Sequence, residues 1–161
     1  MTGRSPVLSA GLFDSRQYGF AQVTVVPTPH GRAVHVSGQV AWDADQNIVG
    51  PGDIGRQLEK SLDNLAAALA SAGAALDQVG ALRLYIRQSH MGEGRAISAA
   101  LKAKFGDNPP CATWIGVTSL ADERFLIEVE PSVVFLDWID EWTHRSSSSP
   151  PSGGEEYESV L

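Results

Sequence analysis

The chain has 161 residues, 43% of them hydrophobic, which is enough for one domain with a real core. Its net charge of −7 owes much to six acids near the end (Asp137, Asp140, Glu141, Glu155, Glu156, Glu158), so the body is close to balanced. There is no basic stripe for nucleic acid and no run of about 18 apolar residues for a membrane span, and the single cysteine cannot form an internal disulfide. A lone cysteine fits a reducing, cytoplasmic setting. The first residues lack the long apolar run of a signal peptide.

Residues 1–17 are polar, with Gly and Pro, and are expected to lie against the surface. "YGFAQVTVVP", Tyr18 to Pro27, is aromatic and β-branched and reads as a strand. "TPHG" is turn chemistry. "RAVHVSGQVAWD" alternates Ala33, His35, Ser37 against Val34, Val36, Gly38, which marks a second strand with one buried face, paired to the first as a hairpin. A helix is expected from Asp53, its N-cap: Ile54, Leu58, Leu62, Leu65, Leu69 and Ala72 form one apolar stripe, and Gly73 stops it. "VGALRLYIRQ" is the next strand, with Leu82, Leu84 and Ile86 on one face. Ile97, Leu101 and Phe105 recur every four residues in a second helix ending at Gly106. "NPPCATWIGVTSL" is a strand without charge, and "RFLIEVEPSVVFLDW" is read as one last strand.

The order β-β-α-β-α-β-β gives an α+β sandwich, a mixed sheet with two helices on one face. No helix remains for the other face, where stretches such as "SVVFL" are apolar at successive positions. Self-association is the expected cover. Residues 1–142 are read as a single domain. From Thr143 onward "SSSSPPSGGEE" is low-complexity, and 143–161 are expected to be a flexible tail.

Four of these pieces, in order, resemble the RidA/YjgF family, also labelled UK114 or L-PSP: "GFAQV", "VSGQVAWDADQNIVG", "QLEKSLDNLAAALASAGAALDQVGALRLYI" and "IEVE". The resemblance covers roughly residues 18–134. It implies a chorismate-mutase-like homotrimer with a central barrel and clefts between subunits. It also implies hydrolysis of reactive enamines and imines without metal or organic cofactor.

Residue by residue, the resemblance places Glu128 at the acid that handles water, and Ser37-Gly38 at the backbone turn that lines the cleft. It also shows losses. Pro110, Cys111 and Ala112 match the family's Pro-Ala-Arg, so the carboxylate-binding arginine is Ala112, and a bidentate contact worth roughly 1.5–3 kcal/mol is gone. Phe20 replaces a Tyr and Ser98 an Asn. The chain is thus similar to an arginine-less branch, with Arg95 and Arg124 as the possible substitutes.

Glu128 is the candidate catalytic residue, as base or water-positioner. Phe20, Ser37, Gly38, Ser98, Cys111, Ala112 and Trp114 are candidate substrate-binding residues. The backbone N–H groups near Ser37 and Gly38 are expected to steady developing charge. Glu128 could equally be an ordinary strand carboxylate, and Trp114 a packing residue. Cys111 has no local His or Asp motif to activate it, which speaks against a nucleophile. His30 and His35 lack ligand spacing, so no metal is expected.

Two functions follow. The first is a cofactor-independent, hydrolase- or deaminase-like enzyme acting on an imine, enamine or related small molecule in an intersubunit cleft, and not a standard 2-imino-acid deaminase. The second is a non-catalytic trimer that binds a small ligand. The ribonuclease activity carried by the L-PSP label would need a basic groove, which the sequence lacks.

Overall fold

The computed structural model describes residues 3–9 and 11–136. Strands β1 (Ser5–Val7), β2 (Val23–Thr28), β3 (Gly31–Val36) and β7 (Val134–Leu136) form one antiparallel sheet in the order β1-β2-β3-β7. Strands β4 (Ala81–Arg87), β5 (Cys111–Val117) and β6 (Ile127–Pro131) form another in the order β5-β4-β6, parallel between β4 and β5 and antiparallel between β4 and β6. Reciprocal backbone bonds between Gln39 and Val129, 2.8 and 2.9 Å, stitch the two together. Helices α1 (Ile54–Ser71) and α2 (Gly94–Phe105) pack on each other, and α1 covers β3 and β6.

The α1 stripe is as the spacing requires: Ile54, Leu58, Leu62, Leu65 and Leu69 are fully buried. Asp53 caps it by accepting from the Arg56 N–H. At the other end the Ala74 N–H reaches the Leu69 carbonyl and the Gly73 N–H the Ala70 carbonyl. Gly73 has φ +74°, the left-handed residue this closure needs. Leu82, Leu84 and Ile86 present the buried face of β4, as the alternation predicts.

Three expectations are corrected. Residues 1–17 are not merely draped on the surface, because Ser5–Val7 add a strand to β2. The hairpin's first strand starts at Val23, not Tyr18: Ser15–Tyr18 form a 3₁₀ turn that ends at Gly19, φ +84°, and the Ser15 hydroxyl binds the Phe20 carbonyl. The last strand is two. Pro131 ends β6, and Ser132 turns back to Ala81 through both its N–H and its hydroxyl, so β6 pairs β4 while β7 pairs β3. The expected tail from Thr143 lies outside the described residues.

The helix-free face is more polar than the strand composition suggests. Cross-strand register puts Arg83, Tyr85, Glu128 and Glu130 there together. Glu130 accepts from Tyr85 and pairs with Arg83. Apolar exposure on this face includes Phe135, 58% exposed. Strand β5 is an edge, exposed at most positions. Among the described residues no helix is long and apolar enough to cross a membrane.

Candidate functional site

The helix α1 carries three polar residues on its buried side, Gln57, Ser61 and Asn64, and two of them build the site, while the Ser61 hydroxyl returns to the Gln57 carbonyl. Gln57 is fully buried; its amide donates to the Arg124 carbonyl (2.9 Å) and its oxygen accepts from the Leu126 N–H (2.8 Å), which fixes Phe125 between them. Asn64 donates to the Val40 and Trp42 carbonyls (2.9 and 2.8 Å), which fixes Trp42. Buried polar groups must be satisfied, so these two side chains set the path of the loops they hold. Replacing Gln57 by Leu leaves the Leu126 N–H without its acceptor. We expect a loss of about 1–3 kcal/mol in urea unfolding, with the fold retained.

Between these clamps lies a cavity of about 410 Å³, within the range of small-molecule sites. Phe13, Trp42 and Phe125 stand edge to face, with ring centroids 4.9 and 5.1 Å apart. Phe20, 43% exposed, and Tyr18 stand at the rim. The polar wall is Gln22, Ser37, Gly38, Gln39 and Glu128. The Gln39 amide bonds the Gln22 side chain and the Ser37 carbonyl, both at 2.9 Å.

Glu128 lies across Gly38: a Cβ at position 38 would sit 1.8 Å from Glu128 Oε1. Only glycine leaves the carboxylate that place. Burial first, then the charge of Glu130, raises its pKa above the ordinary 4.5. No cation pairs with it among the described residues: Arg83 goes to Glu130, Arg124 to Asp122, and Arg87 to the Glu123 carbonyl. The arrangement can take a proton from a water or a ligand and return it.

The expected backbone donors are half available. The Ser37 N–H is bound to the Gln22 carbonyl (2.9 Å) and its hydroxyl to the Ala21 carbonyl (2.8 Å). The Gly38 N–H carries no hydrogen bond among the described residues.

The eight candidate residues separate into two groups. Phe20, Ser37, Gly38 and Glu128 line the cavity. Ser98, Cys111, Ala112 and Trp114 do not. Register with Leu82 and Leu84 puts Ala112 and Trp114 on the helix-side face of edge strand β5, opposite Glu128. Trp114 lies against the start of α2, where a Cβ on Gly94 would be 3.5 Å from its ring, and Ser98 is exposed on that helix. Neither Arg95 nor Arg124 lines the cavity, and Asp122 holds the Arg124 guanidinium bidentately. Among the described residues no three His, Cys, Asp or Glu side chains cluster as a metal site.

The sequence reading missed Phe13, Gln22, Gln39, Trp42, Asn64 and Phe125. Gln57 and Asn64 gave a signal: amides on an otherwise apolar helical stripe. Phe13 gave none, because it arrives from a segment with no periodicity.

The family whose description is Endoribonuclease L-PSP matches residues 18–135. A RutC family protein of Pyrococcus abyssi (strain GE5 / Orsay) is 27% identical over 100 residues, 62% of this chain and 76% of that one. The solved structure of protein YJGH is 25% identical with a TM-score of 0.68, over 82% of this chain and 95% of that chain. Yeast Mmf1 has a TM-score of 0.70 at 20% identity, over 83% and 98%. A Mycobacterium tuberculosis member of the highly conserved YjgF/YER057c/UK114 family has 0.66 at 24%, over 83% and 100%. The last two show a shared fold. With residues 18–135 matched in order, the chain belongs to the Endoribonuclease L-PSP family, the YjgF/RidA/UK114 group.

Proposed function

We propose that this protein hydrolyses a reactive C=N compound, an imine or the imine form of an enamine, with Glu128 as the group that handles water. The observation that carries this reading is the carboxylate laid over Gly38: half-buried, without a cation partner, its pKa raised, in an aromatic-walled cavity. Glu128 takes a proton from water as the oxygen adds to the C=N carbon. The nitrogen takes that proton back from Glu128 and the second from the new hydroxyl as the C–N bond breaks, so it leaves as ammonia or an amine and a carbonyl remains. The Gly38 N–H is the one backbone donor in this turn for the developing charge.

The two groups of candidate residues support an intersubunit site. Phe20, Ser37, Gly38 and Glu128 belong to one chain's cavity, while Ser98, Cys111, Ala112 and Trp114 lie at the α2–β5 edge. They meet only if one subunit's edge closes another's cavity, which a homotrimer of the family type would do. The edge brings Ala112, not arginine, so a simple anionic 2-imino acid is a poor substrate. The aromatic wall also favours a second reading, a trimer that holds a small apolar ligand without turnover. Ribonuclease activity fits least: among the described residues the cavity wall includes an acid and no Lys, Arg or His.

The test generates a 2-imino acid in situ with an amino-acid oxidase and traps what survives with semicarbazide. Wild type is expected to leave trapping at the buffer level, and Ala112→Arg to bring it clearly below that level. Rapid loss with wild type would contradict the arginine argument. Silence from Ala112→Arg as well would favour the ligand-binding trimer.

A further inference from the structure

The cavity has an unusual charge pattern for a site in a protein with 12 Lys and Arg residues. Among the described residues its lining includes one carboxylate, Glu128, and no Lys, Arg or His. That carboxylate is half-buried and has no cation partner among the described residues, because the nearby arginines are committed elsewhere: Arg83 to Glu130, Arg124 to Asp122, Arg87 to a carbonyl. A carboxylate held away from water without a counter-charge gains most from a ligand that brings one. Around it stand rings whose faces attract cations: Phe13, Trp42 and Phe125 in edge-to-face sequence, with Phe20 at the rim. The other polar groups of the wall, the Gly38 N–H, the Trp42 indole N–H and the Gln22 and Gln39 amides bonded to each other, are uncharged and can orient a ligand without demanding that it be an anion.

We infer that the cavity takes an organic cation: an ammonium or iminium group beside Glu128, carried on an apolar or aromatic body that rests among Phe13, Phe20, Trp42 and Phe125. This deepens the reading of the same cavity as the substrate site, and it gives the class: a protonated imine or amine with a hydrophobic body, free of carboxylate and phosphate. An iminium is also the form of a C=N bond most open to attack by water, so binding beside an anion selects the reactive species.

Three probes of one shape separate charge from size: phenyltrimethylammonium, 2-phenyl-2-propanol and benzenesulfonate. Calorimetric titration of the intact protein is expected to show the ammonium binding at least tenfold more tightly than either of the others. Glu128→Gln should erase that advantage and leave the alcohol unchanged. Phe20→Leu, at the exposed rim, should weaken the ammonium several-fold with no change in Tm, and it decides the matter if Glu128→Gln fails to fold. Equal or tighter binding of benzenesulfonate would overturn the inference, and would mean that a second copy brings a base such as Arg95 to the cavity. Absence of ammonium binding, or an unchanged preference in Glu128→Gln, would overturn it too. Turnover is not read here. A cation-selective cavity that hydrolyses nothing defeats the catalytic reading alone, and imine hydrolysis with anion-selective binding defeats this inference alone.

Discussion

Glu128→Gln is expected to cut hydrolysis of an aryl imine without carboxylate by about 10²–10⁴-fold, the usual worth of a positioned base, and to make the protein more stable at neutral pH. The two effects have one cause. Burial, then Glu130, raises the folded-state pKa of Glu128 above 4.5. The folded protein therefore holds this proton more tightly than the unfolded chain does. Between the unfolded and the folded pKa the unfolded state binds fewer protons, so stability falls as pH rises through that window. Above it, the wild type carries the whole cost of a half-buried carboxylate with no cation partner among the described residues. Glutamine keeps the shape and drops the charge. Thermal unfolding should give the variant a higher Tm at about pH 7.5, and the gap should close as pH falls below the unfolded pKa, where both states of the wild type become protonated. A variant less stable than wild type at neutral pH would mean that Glu128 is a structural ion-pair partner, not a group held under strain for function.

Gly38→Ala should lower the same activity by about 10²-fold while barely touching stability. The added Cβ would stand 1.8 Å from Glu128 Oε1 and 2.7 Å from its carboxyl carbon, so one of them must move. Gly38 needs no left-handed backbone, since its φ is not among the positive ones. The atoms it would strike are the far end of a flexible side chain, so the carboxylate swings away and the strand stays. Retained Tm with lost turnover is the expected pair, read from thermal unfolding and initial rates. Lost Tm with retained turnover per folded molecule would show that the close approach serves packing.

The fold was legible because its strongest signals are periodic. The α1 stripe from Ile54 to Ala72, its Asp53 cap and the Gly73 stop all occupy the expected positions. The alternation of Leu82, Leu84 and Ile86 likewise marks the buried face of β4. What escaped was set by single contacts. No pattern in residues 1–17 reveals that Ser5–Val7 pair with Val23–Val25. Nothing in "IEVEPSVVFL" reveals that the chain changes partners at Ser132, because both halves are equally strand-like.

The site was legible in part for the same reason. Glu128, Gly38, Ser37 and Phe20 came from resemblance, and the cavity gathers them. Ala112 came from the same source and Trp114 from sharing its strand face two residues on, yet one chain cannot bring them to Glu128, because register puts them on the other face of the sheet. A single sequence does not distinguish residues that meet within a chain from residues that meet across an interface. The amides Gln57 and Asn64 are the instructive case. They stood in the quoted run "QLEKSLDNL" as marks of resemblance, and their physical role is to hold the Phe125 and Trp42 walls in place.

The most direct test is the pH dependence of aryl imine hydrolysis, each rate corrected for buffer. If Glu128 accepts the proton of water, the wild-type rate rises with pH through a pKa above the usual carboxylate range, and that limb is absent in Glu128→Gln. The same rising limb in Glu128→Gln would contradict the account and would move the chemistry to another group.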